Sequence, residues 1–73
     1  MPTRTPTDAR IGHNLHVHRL RLHLTQAQLA RLLHVSRPTV TAIERGTRPL
    51  RLVECLQLHD ALGLTIPDLI RPR

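Results

Sequence analysis

The 73-residue chain contains no phenylalanine, tyrosine or tryptophan, no lysine, and one cysteine. Single-stranded nucleic acid is usually held by bases stacked on aromatic rings, and sequence-reading RNA modules use the same platform. Apart from Arg or His stacking, that route is closed here. Double-stranded DNA needs no rings, because Arg and polar side chains directed at phosphates and base edges suffice. Cys55 has no internal partner for a disulfide, which fits a reducing, cytoplasmic setting. No apolar run approaches the ~20 residues of a membrane span, and the first ten residues hold no apolar stretch of a secretory signal. A Gly-rich phosphate loop and a carboxylate pair at catalytic spacing are also missing. His34 and Ser36, two residues apart in a turn, do not amount to a catalytic triad. A chain this short forms one domain and buries roughly 60–65% of its unfolded surface. That leaves room for one core and little for an enclosed substrate cavity, so no enzyme and no cofactor is expected.

What is present is basic and aliphatic. Eleven arginines face five acids, giving a net charge of +6, and fourteen leucines dominate the apolar residues. Such a charge calls for a polyanionic partner. Residues 1–7, rich in Pro and Thr, read as a loose arm, with a globular domain over residues 8–70 and a tail at 71–73. Asp8 is an N-cap candidate for a first helix from about Ala9 to Leu22, whose inner face would be Ile11, Leu15, His18 and Leu22. Thr25 with Gln28 three residues later forms a capping-box pattern for a second helix, Gln26 to Leu33. Ser36 caps a third, from Arg37 to Glu44 or Arg45, with Pro38 tolerated in its first turn and Gly46 at its end. Leu52, Cys55, Leu56, His59 and Leu62 trace a fourth helical face ended by Gly63, and Thr65 caps a short fifth helix. The expected architecture is all-α, with five short helices and tight turns.

Within it, residues 25–45 place two short helices around a turn of about three residues, the geometry of a helix-turn-helix. The motifs that carry a resemblance are Ile11-Gly12, Leu15, Arg19, Leu24-Thr25-Gln26, Leu29-Ala30, Val35-Ser36, Val40, Ile43-Glu44 and Gly46. They continue as Ala61-Leu62-Gly63 and Asp68-Leu69. In these the chain resembles the phage Cro/C1 repressor, or Xre-like, family over about residues 8–70. The resemblance implies a compact lambda-repressor-like fold and a transcriptional regulator whose third helix enters the major groove.

On that resemblance Arg37, Pro38, Thr41 and Ala42 are the base-reading positions. The chemistry agrees: Arg37 can grip guanine O6 and N7 with two N–H groups, and Pro38 and Ala42 offer surface to a thymine methyl. Gln26, at the positive end of the second helix, is implied to be a phosphate contact and can also hold a base-contacting side chain. Ser36 and Thr39 suit phosphate or the cap, and Arg45, Arg48 and Arg51 suit phosphate. Arg19 and Glu44 take the family's positions for an internal ion pair between helix one and the end of helix three, a structural role.

Some positions depart from the family's pattern. His23 and His34 stand where glycine usually closes helices one and two, and Cys55 replaces a usual leucine, where it is expected to pack rather than react. His13, His16 and His18 lie close together, but a stable zinc site needs four ligands and Cys55 is alone, so no metal is expected. Protonation of a buried His18 or His59 would weaken packing. One domain makes few contacts, so a homodimer on a pseudo-palindromic operator is expected, joined through Leu64, Ile66, Leu69 and Ile70 and acting by promoter occlusion in the cytoplasm, at the nucleoid. The alternative is an antitoxin or other interaction module that binds a partner protein through helices four and five.

Overall fold

Side chains mark most helix starts. Thr25 Oγ1 accepts the Gln28 N–H at 3.0 Å while Gln28 Oε1 accepts the Thr25 N–H at 2.8 Å, so a reciprocal capping box opens the second helix. Ser36 Oγ accepts from the Thr39 N–H at 3.3 Å, and Thr65 Oγ1 accepts from the Asp68 N–H at 3.3 Å. The computed structural model describes residues 6–72. There the chain forms α1 (Pro6–Arg21), α2 (Gln26–Leu33), α3 (Arg37–Arg45), α4 (Leu52–Leu62) and α5 (Ile66–Ile70), with no strand among the described residues. No helix among them is long and apolar enough to cross a membrane.

The first helix starts earlier than its apolar pattern predicts. Pro6 opens it, which costs no hydrogen bond because first-turn N–H groups lack intrahelical partners. Asp8 therefore lies in the first turn, where a carboxylate still complements the helix dipole, and is not the N-cap. Of the expected arm, residues 1–5 lie outside the described residues, and Pro6 and Thr7 belong to α1.

Left-handed residues close the first four helices. His23 (φ 57°) and His34 (φ 58°) occupy the positions where glycine is the usual choice, beside Gly46 (φ 79°) and Gly63 (φ 72°). Around His34, its N–H reaches the Arg31 carbonyl at 3.2 Å and the Val35 N–H reaches the Ala30 carbonyl at 3.0 Å. His23 and Leu24 repeat the pattern on Leu20 and Arg19, both at 3.0 Å. This is the paired bonding of a Schellman cap, in which the left-handed residue lets the chain turn back on its last carbonyls.

α1 packs on α3 and α5, and α2 packs on α3 and α4. Leu15, Leu29, Ala30, Leu33, Val40, Ile43, Leu58, Leu64 and Leu69 form one core, with Ile11, Leu32, Val35, Leu50, Cys55 and Leu62 against it. Gly12 lets α1 approach α3. A Cβ there would land on the Ile43 carbonyl oxygen, with the Glu44 carbonyl oxygen 2.8 Å away. Asn14, buried on the same helix, donates from Nδ2 to the carbonyls of Leu69 (2.7 Å) and Arg71 (2.9 Å), tying the end of α5 to α1.

Two expected faces are corrected. On α1, Leu22 lies past the helix end and is exposed and His18 is half-buried, whereas Asn14 and Arg19 are buried. On α4, Leu52 is 73% exposed, Leu56 is 56% exposed and His59 is exposed, while Glu54 and Leu58 point inward. The helix is turned so that a carboxylate occupies a core position, which apolar periodicity cannot reveal. His59 thus has no buried packing for protonation to disturb.

Gly12→Ala should lower unfolding free energy by about 1–3 kcal/mol, because the methyl has only backbone to push against. His34→Gly should raise it by about 0.5–1 kcal/mol by removing left-handed strain. Urea titration checks both, and an unstable His34→Gly would show that the imidazole contributes more than the backbone strain costs.

Candidate nucleic-acid interface

α3 has one face for the core and another for solvent. Val40 and Ile43 are fully buried. Arg37 and Pro38 are exposed and Thr41 and Ala42 are half-buried on the outer side. These four line a shallow groove of about 400 Å³ together with Arg45 and Thr47. Thr47 carries no signal in the sequence. It reaches the groove because the turn at Gly46 folds back, its hydroxyl donating to the Ala42 carbonyl at 3.1 Å.

Behind this surface lies a polar network. Arg19 Nε donates to Glu44 Oε2 at 2.7 Å, Nη1 donates to the Leu24 carbonyl at 2.8 Å, and Nη2 lies 3.3 Å from Glu44 Oε1. The two side chains are only 9% and 6% exposed, so the pair is buried and multiply bonded. Burial pushes the Glu44 carboxyl up, but hydrogen bonds from Arg19, Gln26 and His16 outweigh that and hold it below the ordinary carboxylate value. Gln26 carries the network onward. Its Nε2 donates to Glu44 Oε1 at 3.1 Å, and its Oε1 accepts from Thr41 Oγ1 at 3.2 Å. The start of α2 is thereby joined to the outer face of α3, and the Thr41 hydroxyl is held from below. His16, considered in the sequence only as a metal ligand, enters the same cluster with Nδ1 3.0 Å from Glu44 Oε1.

Ser36 and Thr39 sit at the start of α3, their hydroxyls 2.8 Å apart. Arg45 and Arg51 are exposed at the end of α3 and the start of α4. Arg48, expected to anchor a phosphate, is paired with a carboxylate. Its Nη1 donates to Glu54 Oε1 at 2.5 Å and its Nη2 to Oε2 at 2.9 Å. Glu54 Oε1 also accepts the Arg51 N–H at 2.8 Å. Burial raises the Glu54 carboxyl, yet these bonds hold it below its ordinary value. The fork-to-fork pair fastens the loop after α3 to α4. Among the described residues no three His, Cys, Asp or Glu side chains are placed to share a metal ion. Cys55 is half-buried, and burial raises its thiol, which makes it a poor nucleophile.

Arg48→Ala leaves Glu54, whose side chain is 3% exposed, without its cation. The expected outcome is a loss of about 3 kcal/mol of stability, read by urea titration. Because Glu44 and Glu54 are both held below their ordinary values, their contribution is complete above those values and is lost as pH falls through the folded ones. The melting temperature should hold from neutrality down to the carboxylate range and then drop, with a smaller drop in Glu54→Gln.

The geometry has known counterparts. A helix-turn-helix family model matches residues 17–69. No curated protein sequence matches the chain. Among solved structures, the restriction-modification controller protein C.AhdI from Aeromonas hydrophila is 34% identical, with 85% of this chain and 94% of that one covered and a TM-score of 0.75. The hypothetical transcription factor NHTF from Neisseria is 26% identical over 99% of this chain and 83% of its own, with a TM-score of 0.78. The clp gene regulator ClgR from C. glutamicum shares the fold, with a TM-score of 0.80 at 21% identity, covering 96% of this chain and 90% of its own. The chain belongs to the Cro/C1-type, Xre-like helix-turn-helix family, whose members are DNA-binding transcriptional regulators rather than enzymes.

Proposed function

We propose that the chain is a sequence-specific repressor that binds double-stranded DNA in the cytoplasm, with α3 in the major groove. The observation that carries this is the common placement of Arg37, Pro38, Thr41 and Ala42 around one groove on the solvent side of α3. Arg37 reads guanine through its two parallel N–H groups, while Pro38 and Ala42 offer apolar surface to a thymine methyl. Gln26 supports Thr41 from behind, and the start of α2 faces a phosphate. Ser36, Thr39, Arg45 and Arg51 flank the groove as phosphate contacts. Arg48 serves the fold. The likeness to a restriction-modification controller supports the regulatory reading.

A homodimer would give two such helices a palindromic operator, with half-sites about 34 Å apart or a multiple of it. The apolar surface available for it differs from the one expected. Leu64 and Leu69 belong to the core, whereas Leu52, Val53 and Leu56 of α4 and Ile66 and Ile70 of α5 are exposed. Leu52, Leu56 and Ile66 line one apolar groove, which also favours the second reading, an antitoxin-like module that docks a partner protein through α4 and α5.

Selection of bound duplexes from a random pool separates the two. A palindromic consensus supports the regulator and its dimer, whereas no enrichment at low salt supports the protein-binding module. On the selected site, Arg37→Ala should cost about 1–3 kcal/mol and relax one base position, while Arg51→Ala should weaken all sequences alike and flatten the salt dependence by about one unit. Equal weakening of all sequences by Arg37→Ala would remove its base-reading role.

A further inference from the structure

Thr41 borders both concave surfaces on the outer side of α3, one of about 400 Å³ shared with Pro38 and Ala42 and one of about 500 Å³ toward α1. Its hydroxyl has one proton and two lone pairs, so what it offers a ligand depends on where that proton goes. We propose that Gln26 and Glu44 commit the proton inward, so that Thr41 meets DNA only as an acceptor. It then selects an exocyclic amino group, adenine N6 or cytosine N4, over the keto oxygens of guanine and thymine. The inference rests on the DNA-binding reading above and adds the hydrogen-bond polarity of one base position.

The commitment starts in the core. The Glu44 side chain is 6% exposed, and its hydrogen bonds hold the carboxyl ionised at neutral pH. A carboxylate only accepts. Gln26 meets Glu44 Oε1 at 3.1 Å and must therefore present its amide nitrogen there. The other end of the amide is then the carbonyl oxygen, which faces Thr41 Oγ1 at 3.2 Å. Those two oxygens share a bond only if the hydroxyl donates. The second neighbour of the hydroxyl is the Arg37 carbonyl, 3.4 Å away, and it too can only accept. Both internal partners thus take the proton, and the lone pairs are left for the groove.

Reversing this polarity is costly. Turning the amide over would set its carbonyl against the Glu44 carboxylate, and turning the proton outward would leave Gln26 Oε1 without its donor. In the major groove adenine N6 and cytosine N4 donate, whereas guanine O6 and N7 and thymine O4 accept. Thr41 therefore sorts the bases it faces into amino and keto classes, a grouping that neither base size nor base-pair strength produces. A backbone phosphate, which offers only acceptors, is excluded by the same polarity. Arg37, one helical turn earlier, carries donors alone and reads the opposite pattern. The two side chains then specify a guanine and an amino base within about two base steps of each other.

The experiment is selection of bound duplexes from a random pool with the wild type, Thr41→Val, Thr41→Ser and Gln26→Met. The position that Thr41→Val alters is then filled with each of the four bases and the affinities are compared. The wild type should favour adenine and cytosine over guanine and thymine there by about three- to tenfold. Thr41→Ser should keep that preference, Thr41→Val should erase it with the salt slope unchanged, and Gln26→Met should reduce it by releasing the proton. A thermal melt of each variant checks folding. Independently of the variants, replacing adenine at that position by hypoxanthine, which carries a keto oxygen for the amino group, should weaken wild-type binding to the same extent. A keto preference, a consensus that Thr41→Val leaves intact, an amino preference untouched by Gln26→Met, or equal affinity for adenine and hypoxanthine overturns the polarity and leaves DNA binding standing. Enrichment of no duplex overturns both.

Discussion

The buried pair of Arg19 and Glu44 is the interaction on which the rest of the structure depends. It joins the last turn of α1 to the last turn of α3 at the place where Gly12 has already brought the two backbones together. Its donors also satisfy the Leu24 carbonyl, so the same guanidinium holds the turn between α1 and α2. A buried ion pair is a poor source of net stability, because desolvating two charges offsets most of their attraction. Its value here is geometric. Each hydrogen bond to Glu44 has one direction, so α1, α2 and α3 can meet in only one mutual orientation.

That orientation reaches the functional surface through Gln26. The amide bridges Glu44 to Thr41, placing the outer face of α3 one hydrogen bond away from the core pair. Pre-organising a surface in this way reduces the side-chain ordering that any binding there would otherwise have to supply. The second ion pair, Arg48 with Glu54, does for the far side of α3 what the first does for the near side. It fastens the loop that follows α3 to α4. Two of the eleven arginines, at 19 and 48, pair with the carboxylates of Glu44 and Glu54, and three others, at 37, 45 and 51, are exposed near α3.

Much of this was legible in the sequence, and the reason is locality. Caps at Thr25, Ser36 and Thr65 act within three residues, so their chemistry is written in neighbouring letters. The stop signals at Gly46 and Gly63 are equally local, and so is the left-handed backbone expected of His23 and His34. The outer face of α3 could be read because a short helix with Val40 and Ile43 inward leaves Arg37, Pro38, Thr41 and Ala42 on the other side.

What the sequence determined by itself, then, was the run of five helices, the caps of α2, α3 and α5 and the side of α3 left to solvent, because these follow from interactions within a turn or two of the chain. Only the tertiary structure decided that Glu54 turns inward and thereby exposes Leu52 and Leu56. The same holds for Asn14 closing the end of α5, for Arg48 binding a carboxylate and not solvent, and for His16 joining the Glu44 cluster. Each of these is a polar group held by a partner that another segment of the chain supplies. A hydropathy pattern treats such residues as outward-facing, since the hydrogen bond that makes burial affordable exists only once the helices have met.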